Sequence, residues 1–481
     1  MQYTTESDGA AAAGSSKKIS LLALTAMVVG SMVGAGIFNL PSRFGSATAP
    51  FGALIAWAIA GFGMYMLARV FQILAEKKPE IDAGVFAYAK AGFGSYPGFL
   101  SAFGYWLGSC LGNTFYWILI GATLGNFFPG LVEGHPALPV IVSLIGIWTF
   151  HLMILRGIEQ AAFINFVVTI AKIVPILAVI IILLFAFNYE AFSDGFLVAS
   201  EMPAKSLLDQ VRDTMLITVF VFIGIEGASV YSRFAKTRSD VGKATILGFV
   251  AVMGLMVAVS LLPYGLMTQS EIADLSQPSV AGVLEAVMGP WGSWFISLAV
   301  LVSVLGAYLT WSLICAEVLF AAAKSRDMPK AFSSENANKV PAKALWMTNT
   351  VVSLFLISTI WADDAFDLML DMTSVTILLP YLLVAGYSVL LARNADSTNY
   401  KELVISWLAV VYTIFMFIAA GPKYVVLVAV LYAPGTIMYV IARREQRARL
   451  FLPREKVIFG IIVVTAVFGA LGLATGYIET Y

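Results

Sequence analysis

The stretch GSMVGAGIFNLP, residues 30–41, interrupts an apolar run that begins near residue 19. Its glycines, Asn39 and Pro41 are poor helix formers, yet they lie within a segment long enough to cross a membrane. Unpaired backbone N–H and C=O groups are costly in hydrocarbon, so irregular backbone survives there only where it lines a cavity or is buried in protein. For a single glycine run, close packing of helices through small residues is the alternative explanation.

A second interruption, VFVFIGIEGASVYS at residues 219–232, places Gly224 and Gly227 on either side of Glu226. It falls in the sixth apolar segment, five segments after the first and with opposite orientation. Glycine interruptions at corresponding positions of two halves indicate an inverted-repeat transporter with its substrate site at the breaks. Because free N–H groups attract a carboxylate and free carbonyls attract an ammonium, the pattern predicts a site for an α-amino acid.

The composition is that of an integral membrane protein. Of 481 residues, 60% are hydrophobic and 12% charged, with a mean hydropathy of +0.87, whereas a soluble domain is about 25% charged. The formal net charge is zero, which indicates no nucleic-acid partner. The two cysteines and two histidines suggest no disulfide frame, metal site or cofactor, and no nucleophile motif or soluble catalytic domain indicates an enzyme.

Thirteen segments are long and apolar enough to span a bilayer. They are residues 19–43, 50–75, 97–128, 138–155, 161–188, 206–232, 243–268, 289–324, 345–362, 367–393, 402–420, 422–442 and 456–478. Lys and Arg concentrate in alternate loops, which predicts a cytoplasmic N-terminus, with residues 1–18 as a disordered tail, and an external C-terminus. Twelve spans is the alternative, if 402–442 is not a hairpin turning at Gly421-Pro422.

Both broken segments resemble the basic amino acid/polyamine antiporters of the amino acid–polyamine–organocation (APC) superfamily. Further stretches are similar to its arginine/ornithine antiporter branch: KKPEIDAGVFAYAKAGFG (77–94), FGYWLGSCLGN (103–113), LRGIEQAAFIN (155–165), SDVGKATILGF (239–249), WSLICAEVLFAAAKSRDMPK (311–330), ENANKVPAKALWMTN (335–349) and KYVVLVAVLYAPG (423–435). The resemblance implies an all-α, LeuT-like (APC) fold with a 5+5 inverted repeat, broken helices 1 and 6 and about 13 transmembrane helices. Spans 1–5 would occupy 19–188, spans 6–10 would occupy 206–393, and three peripheral spans would occupy 394–481.

The same resemblance implies the backbone part of a substrate site. The first break, at Gly34, Ala35 and Gly36, should hold the substrate carboxylate. The second break, around Ile223 and Gly224, should hold the α-ammonium.

Side chains of three other spans match substrate-lining positions of the family. In span three these are Tyr105, Gly108, Ser109 and Asn113, and in span eight Trp311 matches the aromatic residue that packs against the bound side chain.

Two residues of span six are expected to set selectivity and gating. Glu226 matches a carboxylate tied to gating, although it could also satisfy free N–H groups at the break. Phe220 stands where family members commonly have Trp, and its smaller cation–π attraction leaves room for substrates other than arginine.

Lys172 lies in span five near the middle of the bilayer, where an ionisable residue suggests a function. In sodium-coupled relatives of this fold a cation bridges spans one and five near this position, so a fixed ammonium could replace it. The alternative is a packing bridge to Glu317 or Glu226. At the outer end of span ten, Asp371 with neighbouring aspartates could form an acidic mouth that attracts cations.

The predicted function is exchange of external L-arginine for internal L-ornithine by alternating access. Both substrates carry a net charge near +1, so the exchange would be electroneutral, and Lys172 would make it independent of sodium. The expected partners are small cationic amino acids and membrane lipids in a bacterial inner membrane, and a homodimer is left open. The alternatives are a lysine, histidine or tyrosine exchanger paired with the decarboxylated amine, and a sensor that binds without transport.

Overall fold

The computed structural model describes residues 20–81, 84–131, 135, 137–157, 161–197, 206–226, 238–362, 364–394 and 399–477. The predicted tail at 1–18 lies outside these residues. The α-helices of the described part, numbered in chain order, are α1 Leu21–Met32, α2 Leu40–Ala47, α3 Pro50–Lys77, α4 Val85–Phe93, α5 Ser95–Gly125, α6 Ala137–Leu155, α7 Ala161–Ala186, α8 Tyr189–Asp194, α9 Leu207–Phe222, α10 Arg238–Leu261, α11 Gln269–Ala273, α12 Ser279–Met288, α13 Pro290–Lys324, α14 Ala342–Ser358, α15 Ala365–Arg393, α16 Tyr400–Glu445 and α17 Pro453–Ala474.

The long helices follow the predicted spans in order. Within the described residues nine helices are long and apolar enough to cross a membrane, and a bent pair in the first predicted span makes a tenth. Spans five and six correspond to α7 and α9, and spans eleven and twelve together correspond to α16. The total of thirteen spans stays a prediction.

The first predicted span is a broken helix. It ends as α1 at Met32, resumes as a 3₁₀ turn at Ala35–Asn39 and continues as α2, with a bend of 46° between the two parts. Gly34 lies at the break in an extended conformation, with φ −110° and ψ −152°. Pro41 falls in the first turn of α2, where its missing N–H costs no intrahelical hydrogen bond.

The second break faces the first. Helix α9 ends at Phe222, and Gly224 has φ +105°, a conformation that favours glycine. The Ser31 hydroxyl on α1 donates to the Gly224 carbonyl at 3.0 Å, so one broken helix satisfies a free backbone group of the other. Residues 227–237, which include the predicted second half of span six, lie outside the described part.

Helix α16 turns back on itself at Gly421, where φ is +80° and ψ is 166°. Near its start, Glu402 pairs with Lys77 at the end of α3. Near its other end, Glu445 accepts a hydrogen bond from the loop that follows α13. The turn itself lies against the start of α9, because Arg212 Nε donates to a carbonyl beside it at 3.0 Å. These contacts fit the predicted hairpin at Gly421-Pro422.

Two of the outer acidic residues, Asp367 and Asp371, are paired. Arg43 on α2 contacts Asp367 at 2.6 Å and Asp371 at 2.8 Å, and the Tyr424 hydroxyl donates to Asp371 at 2.8 Å. These two carboxylates therefore join α2 to α15 and to the hairpin, and they do not form a free acidic mouth.

The last helix is held by one buried carboxylate. Glu455 is 4% exposed. Its Oε1 accepts the N–H of Tyr96 in the first turn of α5 at 2.9 Å, and its Oε2 accepts the N–H of Leu452 at 2.7 Å. Both N–H groups lie at helix N-termini, where they have no intrahelical acceptor. Glu455 therefore caps α5 and α17 together.

Replacing Glu455 by alanine should leave both helix ends uncapped and destabilise the folded protein by about 1–3 kcal/mol, the usual cost of leaving a buried donor without a partner. Thermal unfolding of the full chain in detergent would measure the loss. The matched control is Glu285→Ala, an exposed glutamate on α12. Equal melting temperatures for the two variants would contradict the capping role.

Candidate functional site

A partly open cavity lies between the two breaks, and its space of about 390 Å³ includes the part that is open to solvent. It is enclosed by the first broken helix together with α5, α9, α13 and α15. The lining residues are Ser31, Met32, Gly34, Gly36, Gly108, Ser109, Gly112, Asn113, Tyr116, Phe220, Val221, Ile223, Trp311, Thr373 and Ile377.

Most of the residues predicted from the sequence lie in this wall. Those found there are Gly34, Gly36, Gly108, Ser109, Asn113, Phe220, Ile223 and Trp311. Ala35 and Gly224 lie at the breaks but outside the lining, and Tyr105 lies one turn from Ser109, below the cavity. The roles of all the predicted site residues towards a substrate stay predictions.

The remaining lining residues were not predicted. On α5, Gly112 and Tyr116 continue the stripe of Gly108 and Asn113 at helical spacing, so periodicity alone could have found them. Thr373 and Ile377 on α15 share a helix face, but no local pattern indicates that α15 meets the breaks.

Glycines bring the walls together. A Cβ at Gly36 would lie 2.7 Å from Phe220 Cδ1, and one at Gly108 would lie 2.6 Å from Ile377 Cγ1. Any side chain at these positions would push a neighbouring wall outwards, so both glycines keep the cavity narrow.

The polar lining mostly offers acceptors. The hydroxyls of Ser31, Ser109 and Thr373 donate to backbone carbonyls at 2.6–3.0 Å, which leaves only their lone pairs for a ligand. Asn113 donates to Cys315 Sγ at 3.6 Å, and its Oδ1 has no hydrogen-bond partner in the described part of the chain. No Asp, Glu, Lys or Arg is among the described lining residues. This wall suits a ligand with several N–H donors.

Aromatic faces complete the cavity. The Trp311 ring lies 6.5 Å from that of Tyr105, and Phe220 packs edge-on against Phe115 at 4.9 Å. Trp311 and Phe220 both line the cavity, and such ring faces attract cations.

Below the cavity, Glu226 joins three elements. It is 2% exposed, and its two carboxyl oxygens accept hydrogen bonds from the hydroxyls of Tyr105 on α5 and Tyr381 on α15, the latter at 2.8 Å. Both tyrosines lie one turn from lining residues, towards the side predicted to be cytoplasmic. The sequence singled out Glu226 and Tyr105 but missed Tyr381.

Lys172 is buried and bridges spans one and five. It is 4% exposed, and its Nζ donates to the Gly30 carbonyl at 3.2 Å, just before the first break. The ammonium therefore satisfies a backbone acceptor at the place where the cation-substitute hypothesis requires it.

Among the described residues, no group of three or more His, Cys, Asp or Glu side chains could hold a metal ion.

Comparison with known proteins gives consistent matches over nearly the whole chain. A family model described as amino acid permease matches residues 19–443. The arginine/ornithine antiporter of Pseudomonas aeruginosa is 47% identical over 477 residues, which cover 96% of this chain and 99% of that protein. The L-lysine transport protein of Corynebacterium glutamicum is 41% identical, covering 98% of this chain and 99% of that protein.

Among solved structures, the crystal structure of MhsT in complex with L-phenylalanine matches with a TM-score of 0.56 and 15% identity. The match covers 85% of this chain and 100% of that one. At this identity the likeness concerns the fold alone. It confirms the predicted fold class, an all-α, LeuT-like architecture of inverted repeats with broken helices 1 and 6.

Replacing Gly224 by alanine should destabilise the protein by about 2–4 kcal/mol, because it combines backbone strain with steric overlap. The new Cβ would lie 2.8 Å from the Ser31 carbonyl oxygen, in addition to the positive φ. Thermal unfolding in detergent measures the effect.

The matched control is Gly254→Ala within α10, where a Cβ meets nothing within 4 Å. That change should stabilise the helix by about 0.5–1 kcal/mol. A Gly224→Ala variant as stable as Gly254→Ala would show that the second break tolerates a side chain.

Proposed function

Because this chain belongs to the amino acid permease family of multi-pass secondary transporters, we propose that it exchanges external L-arginine for internal L-ornithine across the bacterial cytoplasmic membrane. The observation that carries the proposal is the cavity between two facing helix breaks, lined by hydrogen-bond acceptors and aromatic faces. The 47% identity to the arginine/ornithine antiporter of Pseudomonas aeruginosa supports this pair of substrates.

The two breaks would bind the ends common to all α-amino acids. The carboxylate would lie against the backbone at Gly34, Ala35 and Gly36, where a glycine-lined wall admits it closely. The α-ammonium would lie against the backbone at Ile223 and Gly224. Backbone groups carry no net charge, so they can bind a zwitterion without leaving an unpaired charge when the cavity is empty.

The side-chain cation would be recognised by acceptors and ring faces. Among the described residues, the buried Asn113 Oδ1 has no hydrogen-bond partner, and the Ser109 and Thr373 hydroxyls can still accept through their lone pairs. A guanidinium carries five N–H donors and an ammonium three, so both arginine and ornithine can use this wall. Trp311 and Phe220 would add cation–π attraction.

Glu226 would couple the substrate to the inner gate. Its hydrogen bonds to Tyr105 and Tyr381 join α5 and α15 directly beneath the second break. Opening towards the cytoplasm would require these bonds to be exchanged. In this mechanism the gate is a set of polar contacts that a rearrangement of the broken helix can release.

A second candidate is lysine exchange. The relative from Corynebacterium glutamicum, named as an L-lysine transport protein, is 41% identical over almost the full chain. Phe220 favours this alternative, because it offers less cation–π attraction to a guanidinium than the tryptophan common in the family.

In liposomes, labelled arginine uptake should require ornithine inside and should not respond to an imposed membrane potential, because each substrate carries about one positive charge. The lumen would be loaded with ornithine, lysine, agmatine or buffer alone. Uptake driven by agmatine and sensitive to potential would overturn the substrate pair. Bound arginine without flux under any loading would favour a sensor.

Exchange should be unchanged when sodium is replaced by choline, since the Lys172 ammonium would take the place of a coupling cation. Lys172→Met should lower the exchange rate at least about tenfold, which corresponds to an increase of about 1.4 kcal/mol in the activation free energy of exchange. The control is Lys243→Met, an exposed lysine on α10. A strong sodium requirement in the unmodified protein would contradict the hypothesis.

A further inference from the structure

Tyr116 reaches the first break from the opposite wall. It lies on α5, three residues after Asn113, lines the cavity and is 6% exposed. A Cβ built at Gly34 would lie 2.9 Å from its hydroxyl oxygen. The phenol therefore occupies the space directly over the backbone of Gly34 that any other residue there would fill.

This hydroxyl differs from the other hydroxyls of the cavity. The other hydroxyls, those of Ser31, Ser109 and Thr373, each donate their single hydrogen to a backbone carbonyl. Towards a ligand they can therefore only accept hydrogen bonds. Within the described part of the chain, the Tyr116 hydroxyl makes no hydrogen bond, and Tyr116 is one of the residues that line the cavity. Asn113 turns its amide nitrogen towards Cys315, and the indole of Trp311 carries the other side-chain N–H of the described lining. Tyr116 is thus the lining hydroxyl with a hydrogen to give.

We propose that Tyr116 donates its phenolic hydrogen to the α-carboxylate of the bound substrate and thereby makes the site selective for amino acids over their decarboxylated amines. The inference rests on the proposed function, in which an amino acid carboxylate lies at Gly34. A hydrogen bond to an ionised acceptor is about twice as strong as one between neutral groups. With an amine bound, the phenol would face a ligand that has no carboxylate to accept its hydrogen, and such a site discriminates against that ligand.

A phenol suits this task better than a cationic side chain. The described lining contains no Lys or Arg. A fixed cation here would stand unpaired in a membrane-embedded cavity each time the substrate left, which is costly. A neutral donor recognises the carboxylate while it is present and adds no charge when the cavity is empty.

The test is equilibrium binding to the purified full-length protein, with L-arginine and agmatine as a pair that differs by the carboxylate. Tyr116→Phe removes the hydroxyl alone. It should weaken arginine binding by about 10- to 100-fold, the range of a hydrogen bond to a charged group. Agmatine binding should change by less than about twofold, since it lacks the acceptor that the hydroxyl would serve.

The matched control is Tyr308→Phe on α13, which removes a buried hydroxyl that bonds to Asn349 outside the cavity lining. It should leave the ratio of the two affinities unchanged. Equal losses of arginine and agmatine in Tyr116→Phe, or no loss of arginine, would overturn the assignment.

The two proposals can fail separately. If the unmodified protein binds lysine but not arginine, the substrate pair is wrong and the same comparison with lysine and cadaverine decides the role of Tyr116. If it binds no amino acid, the proposed function fails and the carboxylate assignment fails with it.

Discussion

The need to pair every backbone polar group in hydrocarbon shapes this protein. Two helices break, and two backbone carbonyls at the breaks accept hydrogen bonds from side chains. The Ser31 hydroxyl donates to the carbonyl of Gly224, and the Lys172 ammonium donates to the carbonyl of Gly30. The cavity lies where the breaks face each other. Backbone groups that would be too costly to expose to lipid therefore form part of a polar surface inside the protein.

Close approach of the walls depends on glycine at particular positions. Gly36 allows Phe220 to reach the first break, and Gly108 allows Ile377 of α15 to lie against α5. The sequence therefore encodes the cavity largely by omitting side chains. The few that remain are aromatic or carry acceptors, and the Glu226 carboxyl lies below the cavity, where the hydroxyls of Tyr105 and Tyr381 donate to it.

Local signals in the sequence predicted the features that depend on local chemistry. Glycine and proline marked both helix breaks and the reversal at Gly421, and hydropathy marked the long helices. The sequence did not reveal Tyr381 beside Glu226 or the pairing of Arg43 with Asp371, because these contacts join distant parts of the chain. Periodicity along α5 could have extended the predicted wall to Tyr116, but only the structure places its hydroxyl over the first break.

The contact between Lys172 and Gly30 has a thermodynamic consequence for the proposed exchanger. An ion that enters from solution brings a chemical potential that a cell can raise on one side of the membrane. An ammonium tethered to the chain has an effective concentration that neither compartment can change. Work for uphill movement would then come from the counter-substrate alone. The direction of net flux would follow the ratio of the two amino acids across the membrane.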